Sequence, residues 1–318
     1  MGKIDNSFLG GRKIAVEEWV KGETFQRLCD ETYQNGDDLS KGRAALKTVF
    51  VEMGDIRSFM ESASRVKNRF ILISHNGDGR VLNREKREID ISPARRPSNV
   101  VAWFSTNVCT RSYGIFSIPL GFENSKWFPE QNKQRQMELF QKKERTSRSL
   151  IYLNFNKYNN LPQREGLYEK FSSYSWATVH DGKNGKDYES YLSEMISNDF
   201  VLCPEGNGPD THRTWEALYL GTIPILKKHI LHQDWKTELP IVWVDSWDQI
   251  DDQFLMEKKI EIRSRAYQWD VLKISSWNEK IQKIRKQSGI ERIFSFGLKE
   301  SERIARTRWE RDYFRRRE

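Results

Sequence analysis

Apolar runs of strand length alternate with amphipathic stretches along most of the chain. Residues 47–53, 69–74, 100–104 and 114–121 are runs of β-branched and aromatic residues closed by glycine, proline or asparagine, and read as strands. The run 69–74 has no polar interruption until Ser74, which predicts a parallel strand covered on both faces. Residues 57–66 read as a helix between two of these strands. Residues 25–29 could form a short helix and 35–38 a turn, while the rest of the first 45 residues shows no clear period. The charged stretch 80–98, with Pro93 and Pro97, reads as a loop with a helical piece. The first half therefore predicts an α/β layout with a mostly parallel sheet.

The pattern breaks at 122–148. Residues 131–148 are polar and contain neither glycine nor proline, which predicts a surface helix and linker. Beyond it the alternation restarts. Strands are expected at 149–154, 176–179, 200–203, 223–226 and 240–244. Helices are expected at 163–174, opening near Arg164, and at 187–197, where Tyr188, Tyr191, Leu192 and Met195 share helical spacing. A further helix is expected at 211–220, and another starts at 247–253. Strand and helix in alternation predict a doubly wound half-sheet. Residues 255–318 look mostly helical, with Trp269, Trp277, Ile281 and Ile284 as buried positions. The expected organisation is a first domain over 1–130, a linker over 131–148, a second domain over 149–290 and a basic helical tail over 291–318.

One segment of the second half carries chemistry. Residues 200–226 read strand, glycine loop, helix, stop, strand. Two glycines and two prolines within 204–209 exclude both helix and strand there. Asp210 is a natural N-cap, and Gly221 stands where a helix stop belongs. A glycine loop between a strand's carboxyl end and a helix's amino end offers free N–H groups and a helix dipole to an anion. Arg213 and Glu216, three apart, share one helix face. Arg213 is expected to hold a diphosphate and Glu216 a ribose, with Thr211 and His212 close to phosphate or sugar. Gly206, Asn207 and Gly208 would let backbone approach the ligand. Trp215, Leu218 and Tyr219 fall on another face and pack inward.

Composition narrows the partners. The 318 residues carry a net charge of +8, which favours anionic partners. The basic segments 80–96 and 303–317 are interleaved with acidic residues, so solvated helix faces are expected rather than a nucleic-acid surface. Peripheral contact with a membrane through the arginine-rich tail is the alternative use. Cys29, Cys109 and Cys203 have neither disulfide-framework nor metal-ligand spacing, so free thiols and a reducing compartment are expected. No apolar stretch approaches membrane-spanning length and no secretory leader is evident, so a soluble or peripheral cytoplasmic protein is expected.

The pattern Cys203-Pro-x-Gly-Asn-Gly, Thr211-His-Arg-x-x-Glu-Ala-Leu, Gly221-x-Ile-Pro resembles the donor half of exostosin-like (GT47-like) glycosyltransferases, nearest to viral and bacterial members and to ribitol xylosyltransferases. Residues 74–78, 103–107 and 118–121 resemble the first domain of the same group. The resemblance spans roughly residues 70 to 250. It implies a GT-B fold, with two Rossmann-like domains facing a cleft. The nucleotide sugar, a UDP-sugar, would bind the second domain and a glycan or glycoconjugate hydroxyl the first. It implies inverting transfer with no required metal or other cofactor. Asn154 and Asn156 would then end the first strand of the donor domain beside the phosphates, with Arg164 as a second cation. The proton acceptor would come from the first domain. Asp78 and His75 are the candidates, with Glu52 and Asp55 in competition. The competing classes are a nucleic-acid- or membrane-surface-binding protein and a catalytically inactive scaffold of the same fold.

Overall fold

The computed structural model describes residues 6–41, 46–81, 96–110, 112, 114–127, 132–146, 148–180, 187–229, 231 and 238–294, of which 6–8, 127 and 289–294 are described by backbone alone. The basic tail and most of the 80–98 segment lie outside the described residues.

Two five-stranded sheets, each parallel throughout, form the frame. The first holds β1 (Glu31–Tyr33), β2 (Leu46–Glu52), β3 (Arg69–His75), β4 (Val100–Ser105) and β5 (Ile115–Ser117). Its strand order follows chain order without reversal. The second holds β6 (Ser149–Asn154), β7 (Ala177–His180), β8 (Asn198–Leu202), β9 (Ile223–Lys227) and β10 (Val242–Val244), in the order β10-β9-β8-β6-β7. The chain leaves β6 toward one edge and returns to its other side as β8. A crevice opens at such a reversal, between the carboxyl ends of the two strands. Two parallel-sheet domains with this layout are consistent with a GT-B-like fold.

Nine helices accompany the sheets among the described residues: α1 (Gly22–Gln26), α2 (Ile56–Ala63), α3 (Lys133–Lys142), α4 (Leu161–Arg164), α5 (Leu167–Ser172), α6 (Tyr188–Ile196), α7 (His212–Leu220), α8 (Asp252–Arg263) and α9 (Ile274–Phe294). The strands divide their side chains as a two-residue period requires. Ile71 and Ile73 of β3 enter a central core that also takes Val201 of β8 and Cys203 just beyond it, whereas Phe70 and Leu72 join a satellite core outside the first sheet, and Phe200 and Leu202 one outside the second. The central core is shared by both sheets, so the two halves are welded below the cleft.

Several elements differ from the sequence reading. The helix expected over 163–174 is two pieces, because Gly166 adopts φ +74 and breaks it; Arg164 ends the first piece rather than opening a helix. The 131–148 helix is not simply a surface element, since α3 buries Met137, Phe140 and Gln141 against the second domain's helices. The short helix near Phe25 ends at Gln26, before Cys29. Strand β5 stops at Ser117, short of Pro119. Asp210 is not the N-cap of α7: Thr211 holds that place, and the Asp210 carboxylate turns toward the first domain. At α8 the N-cap is Asp251, which accepts from the Phe254 amide.

Segments without a clear period prove to be cross-ties. Residues 6–13 form a 3-10 helix against α7, where a Cβ on Gly11 would lie 2.1 Å from the Leu218 carbonyl oxygen. Arg12 donates to the carbonyls of Phe140 and Gln141. In the other direction, α9 returns from the second domain to the first sheet, with Trp277 against Phe25 and Phe104 and Arg69 donating to the Ser288 carbonyl. Trp277 and Ile281 are buried, while Trp269 and Ile284 pack half-buried on the same core. All three cysteines are free thiols; Cys203 is buried, Cys29 and Cys109 half-buried. No described helix is long and apolar enough to cross a membrane.

Candidate functional site

The carboxyl ends of both sheets open onto one cavity of about 680 Å³. Of the twelve residues singled out as site candidates, eleven line it: His75 at the end of β3 and Asp78 from the loop after it, and Asn156, Arg164, Gly206, Asn207, Gly208, Thr211, His212, Arg213 and Glu216 from the second domain. Asn154 does not; its side-chain amide donates to the Tyr152 hydroxyl instead. Glu52 and Asp55 also stand outside, with Glu52 paired to Lys126.

The floor of the cavity is the switch point between β6 and β8. Arg164 is 4% exposed and spans the two loops there. Its guanidinium donates to the carbonyls of Asn156, Pro204 and Glu205, so it staples the end of β6 to the end of β8. A Cβ on Gly206 would stand 3.1 Å from that guanidinium, which makes glycine the residue that allows the loop to close on it. Phe155 lies beneath two cations at once, with the Arg164 and Arg213 guanidinium carbons 5.3 and 5.7 Å from its ring centre. Burial, reinforced by the Arg213 charge, lowers Arg164 to about 10. Neither arginine makes a salt bridge among the described residues, and the Nε of Arg213 is buried with no hydrogen-bond partner. Arg213 nonetheless stays above the ordinary guanidinium range: burial lowers it, but Tyr191, Cys203 and Glu216 outweigh that effect. Two adjacent guanidinium groups, Arg164 buried and Arg213 half-buried, at a sheet crevice beside a helix amino end, have the chemistry that suits an anion.

Glu216, one turn along α7, forms no ion pair with Arg213. Its two carboxylate oxygens accept from the hydroxyls of Tyr188 and Tyr191 at 2.7 and 2.8 Å. Each oxygen keeps a second acceptor position. Burial first, and the Glu216 charge second, push both tyrosines well above the usual phenol range, so they remain donors. Helical spacing placed these tyrosines with the core; only the packing of α6 against α7 reveals that they brace a carboxylate. Lys133 of α3, also missed, reaches the same wall, with Nζ 5.1 Å from the Tyr188 ring centre and 2.7 Å from Glu123.

The opposite wall is the first domain. His75 is 1% exposed, and both ring nitrogens are engaged: Nδ1 lies 2.8 Å from the Asn76 amide nitrogen and 2.9 Å from the Asn76 side-chain oxygen, and Nε2 lies 3.3 Å from the Pro119 carbonyl oxygen. Burial lowers it to about 4, so the ring is neutral. Asn76 itself sits at φ +62, a conformation asparagine tolerates better than most residues, and accepts from the Asn124 side chain at 2.7 Å. Asp78 is exposed at the cavity rim.

The walls meet along the 204–212 loop. Asp210, pushed up to about 6 by burial, accepts from the Leu120 amide at 2.9 Å, the Thr211 amide at 2.8 Å and the Trp215 indole at 3.0 Å. Asn107, at φ +54, accepts from the Asp210 amide. His212 donates from Nδ1 to the Gly121 carbonyl at 2.7 Å. Gly208 lies against the first domain, where a Cβ would come within 3.2 Å of the Asn107 side-chain nitrogen and 3.4 Å of Asp78 Cα. The glycine loop thus serves the joint between domains as well as the cavity. Among the described residues no cluster of three or more histidine, cysteine or carboxylate side chains is placed to hold a metal.

Comparison with known proteins bears on the second wall. No curated protein matches the chain. Residues 159–293, less than half of the chain, match the family model described as the RXYLT1 C-terminal domain; the matched region runs from α4 to α9 and carries Arg164, Tyr188, Tyr191, the 204–212 loop, Arg213 and Glu216, so this part of the chain is similar to a ribitol xylosyltransferase-like family, which suggests a glycosyltransferase.

Proposed function

We propose that the protein transfers a sugar from a nucleotide-sugar donor to a hydroxyl of a glycan or glycoconjugate, with inversion and without a required metal. The observation that carries this reading is the unpaired couple Arg164 and Arg213 at the β6–β8 switch point, facing a second domain across a cleft. The leaving group of such a donor is a nucleoside diphosphate, whose charge grows as the glycosidic bond breaks. Fixed cations answer that charge without a metal. Arg213 would bind the diphosphate through the terminal N–H groups of its guanidinium, and Arg164 would add field while holding the loop in place. Glu216, held ready by Tyr188 and Tyr191, would accept the ribose hydroxyls. Thr211, at the amino end of α7, and the Gly206–Gly208 loop would border the phosphates, with Asn156 at the edge and Asn154 one step behind it. Asp78, at the rim of the first domain, would bind acceptor hydroxyls. His75, with both ring nitrogens engaged and its ring enclosed, serves as a brace and not as a base.

UDP-xylose is the first donor to test, and ribitol phosphate the first acceptor, because the matching family is ribitol xylosyltransferase-like. Incubation with a panel of UDP- and GDP-sugars, followed by mass and anomeric analysis of products, tests the reading. A new β-glycosidic product from an α-linked donor supports it. No product and no nucleotide-sugar binding across the panel, together with binding of duplex DNA or anionic vesicles, would return the basic-surface alternative.

A further inference from the structure

The geometry points to His212 as the group that takes the acceptor hydroxyl's proton, a role expected on sequence grounds in the first domain. The inference rests on the transferase reading above. His212 opens α7 and lines the cavity. Its Nδ1–H donates to the Gly121 carbonyl at 2.7 Å, which fixes the ring plane and the tautomer. In the neutral ring Nε2 then carries the lone pair. No described residue donates a hydrogen bond to that atom. The contrast with His75 is direct. There both ring nitrogens are already engaged, Nδ1 by the Asn76 amide and side-chain oxygen and Nε2 by the Pro119 carbonyl. Both histidines are bound to the backbone, but only His212 keeps a lone pair available to the cavity.

Position supports the role as well. Arg213 leans back over Phe155, toward the β6–β8 crevice, while His212, its neighbour in the chain, leans forward to Gly121 on the first domain. A donor whose diphosphate sits on Arg213 therefore has its anomeric carbon between the crevice and the first-domain wall. Inverting displacement requires attack on the face opposite the departing phosphate, which is the side His212 occupies. In the step, the acceptor oxygen bonds to the anomeric carbon as the carbon–oxygen bond to the diphosphate breaks. The bonding pair leaves on the phosphate oxygen, the hydroxyl proton passes to His212 Nε2, and the imidazolium then releases it to solvent. Anchoring the base to Gly121 ties its position to the closed joint between domains.

Two variants separate this role from a structural one. His212→Asn places an amide N–H near the position of Nδ1–H, so the bond to Gly121 is kept while the Nε2 lone pair is removed. His212→Ala removes both. Ligand-free melting, melting with UDP-xylose, and UDP release from UDP-xylose with and without ribitol phosphate are measured for each. The expected result for His212→Asn is unchanged melting, an unchanged nucleotide-sugar shift, and turnover lower by about 10²- to 10⁴-fold. His212→Ala should lose turnover equally and melt lower. Turnover of His212→Asn within tenfold of wild type overturns the assignment. A loss of the UDP-xylose shift in His212→Asn overturns it too, because the side chain would then be holding the donor. If wild-type protein shows no shift with any nucleotide sugar, the transferase reading itself fails, and that outcome is separate from the other two.

Discussion

Replacing Arg213 by methionine should weaken nucleotide binding without weakening the fold. The substitution keeps an unbranched apolar stem against Phe155 and removes only the guanidinium. In the ligand-free protein no hydrogen bond at Nε is lost, and the attraction to Glu216 is partly offset by repulsion from Arg164. With a diphosphate bound, the fork would make two charge-assisted hydrogen bonds at about 1.5–3 kcal/mol each. Removing both costs at least about 3 kcal/mol, or roughly a hundredfold in Kd. Thermal melting translates this into a measurable shift. A ligand held at one hundred times Kd stabilises by about 2.7 kcal/mol. With an unfolding entropy of about 2.1 cal/mol/K per residue over the 318 residues, that raises Tm by about 4 °C. At the same ligand concentration the Arg213→Met protein sits near its own Kd, and the rise falls to less than about 1 °C. The ligand-free Tm should not drop. A variant that melts several degrees lower without ligand, or that keeps the full nucleotide shift, would refute the assignment of Arg213 to an anion.

Four further outcomes follow from the same geometry. His75 is held neutral, with its ring lowered from 6.5 to about 4, so its contribution is present above pH 6.5 and is lost as pH falls through about 4. The loss amounts to about 3 kcal/mol, and urea melts of wild type and His75→Gln should converge between pH 7 and 4; a gap independent of pH would contradict the burial argument. Asp210→Ala leaves the Leu120 and Thr211 amides and the Trp215 indole without their acceptor. It should destabilise by about 3 kcal/mol, since each buried donor left unmet costs about 1–3 kcal/mol, and denaturant midpoints at constant slope would show it. Gly221→Ala puts a Cβ at φ +71, 2.6 Å from Leu9 and 2.9 Å from Arg12, and should cost at least about 1–2 kcal/mol in the same assay; a neutral result would mean that the 6–13 segment is not held against α7. Product formation should survive chelation by EDTA, and complete loss with rescue by Mn²⁺ would count against charge neutralisation by Arg164 and Arg213 alone.

The sequence by itself determined the strand runs, because a continuous apolar stretch such as 69–74 admits few structures other than a covered parallel strand. It also determined the loop and helix at 204–221, because glycine and proline constrain the backbone locally, and Gly221 adopts the left-handed conformation its position predicted. That local chemistry sufficed to select eleven residues that share one cavity. The tertiary structure decided what those residues touch. Strand β1 is three residues long and polar at its start, too short for a period to show. Asp210 looked like a cap from its neighbours in the chain, yet its carboxylate also reaches the Leu120 amide of the first domain. Tyr188 and Tyr191 carry core spacing and meet Glu216 only because α6 lies against α7. His75 and His212 are both histidines in loops or helix starts, and only their backbone partners show which ring keeps an available lone pair. Period and turn chemistry are properties of neighbours along the chain. Hydrogen-bond partners separated by 90 residues, as Leu120 and Asp210 are, exist only once the two sheets have packed together.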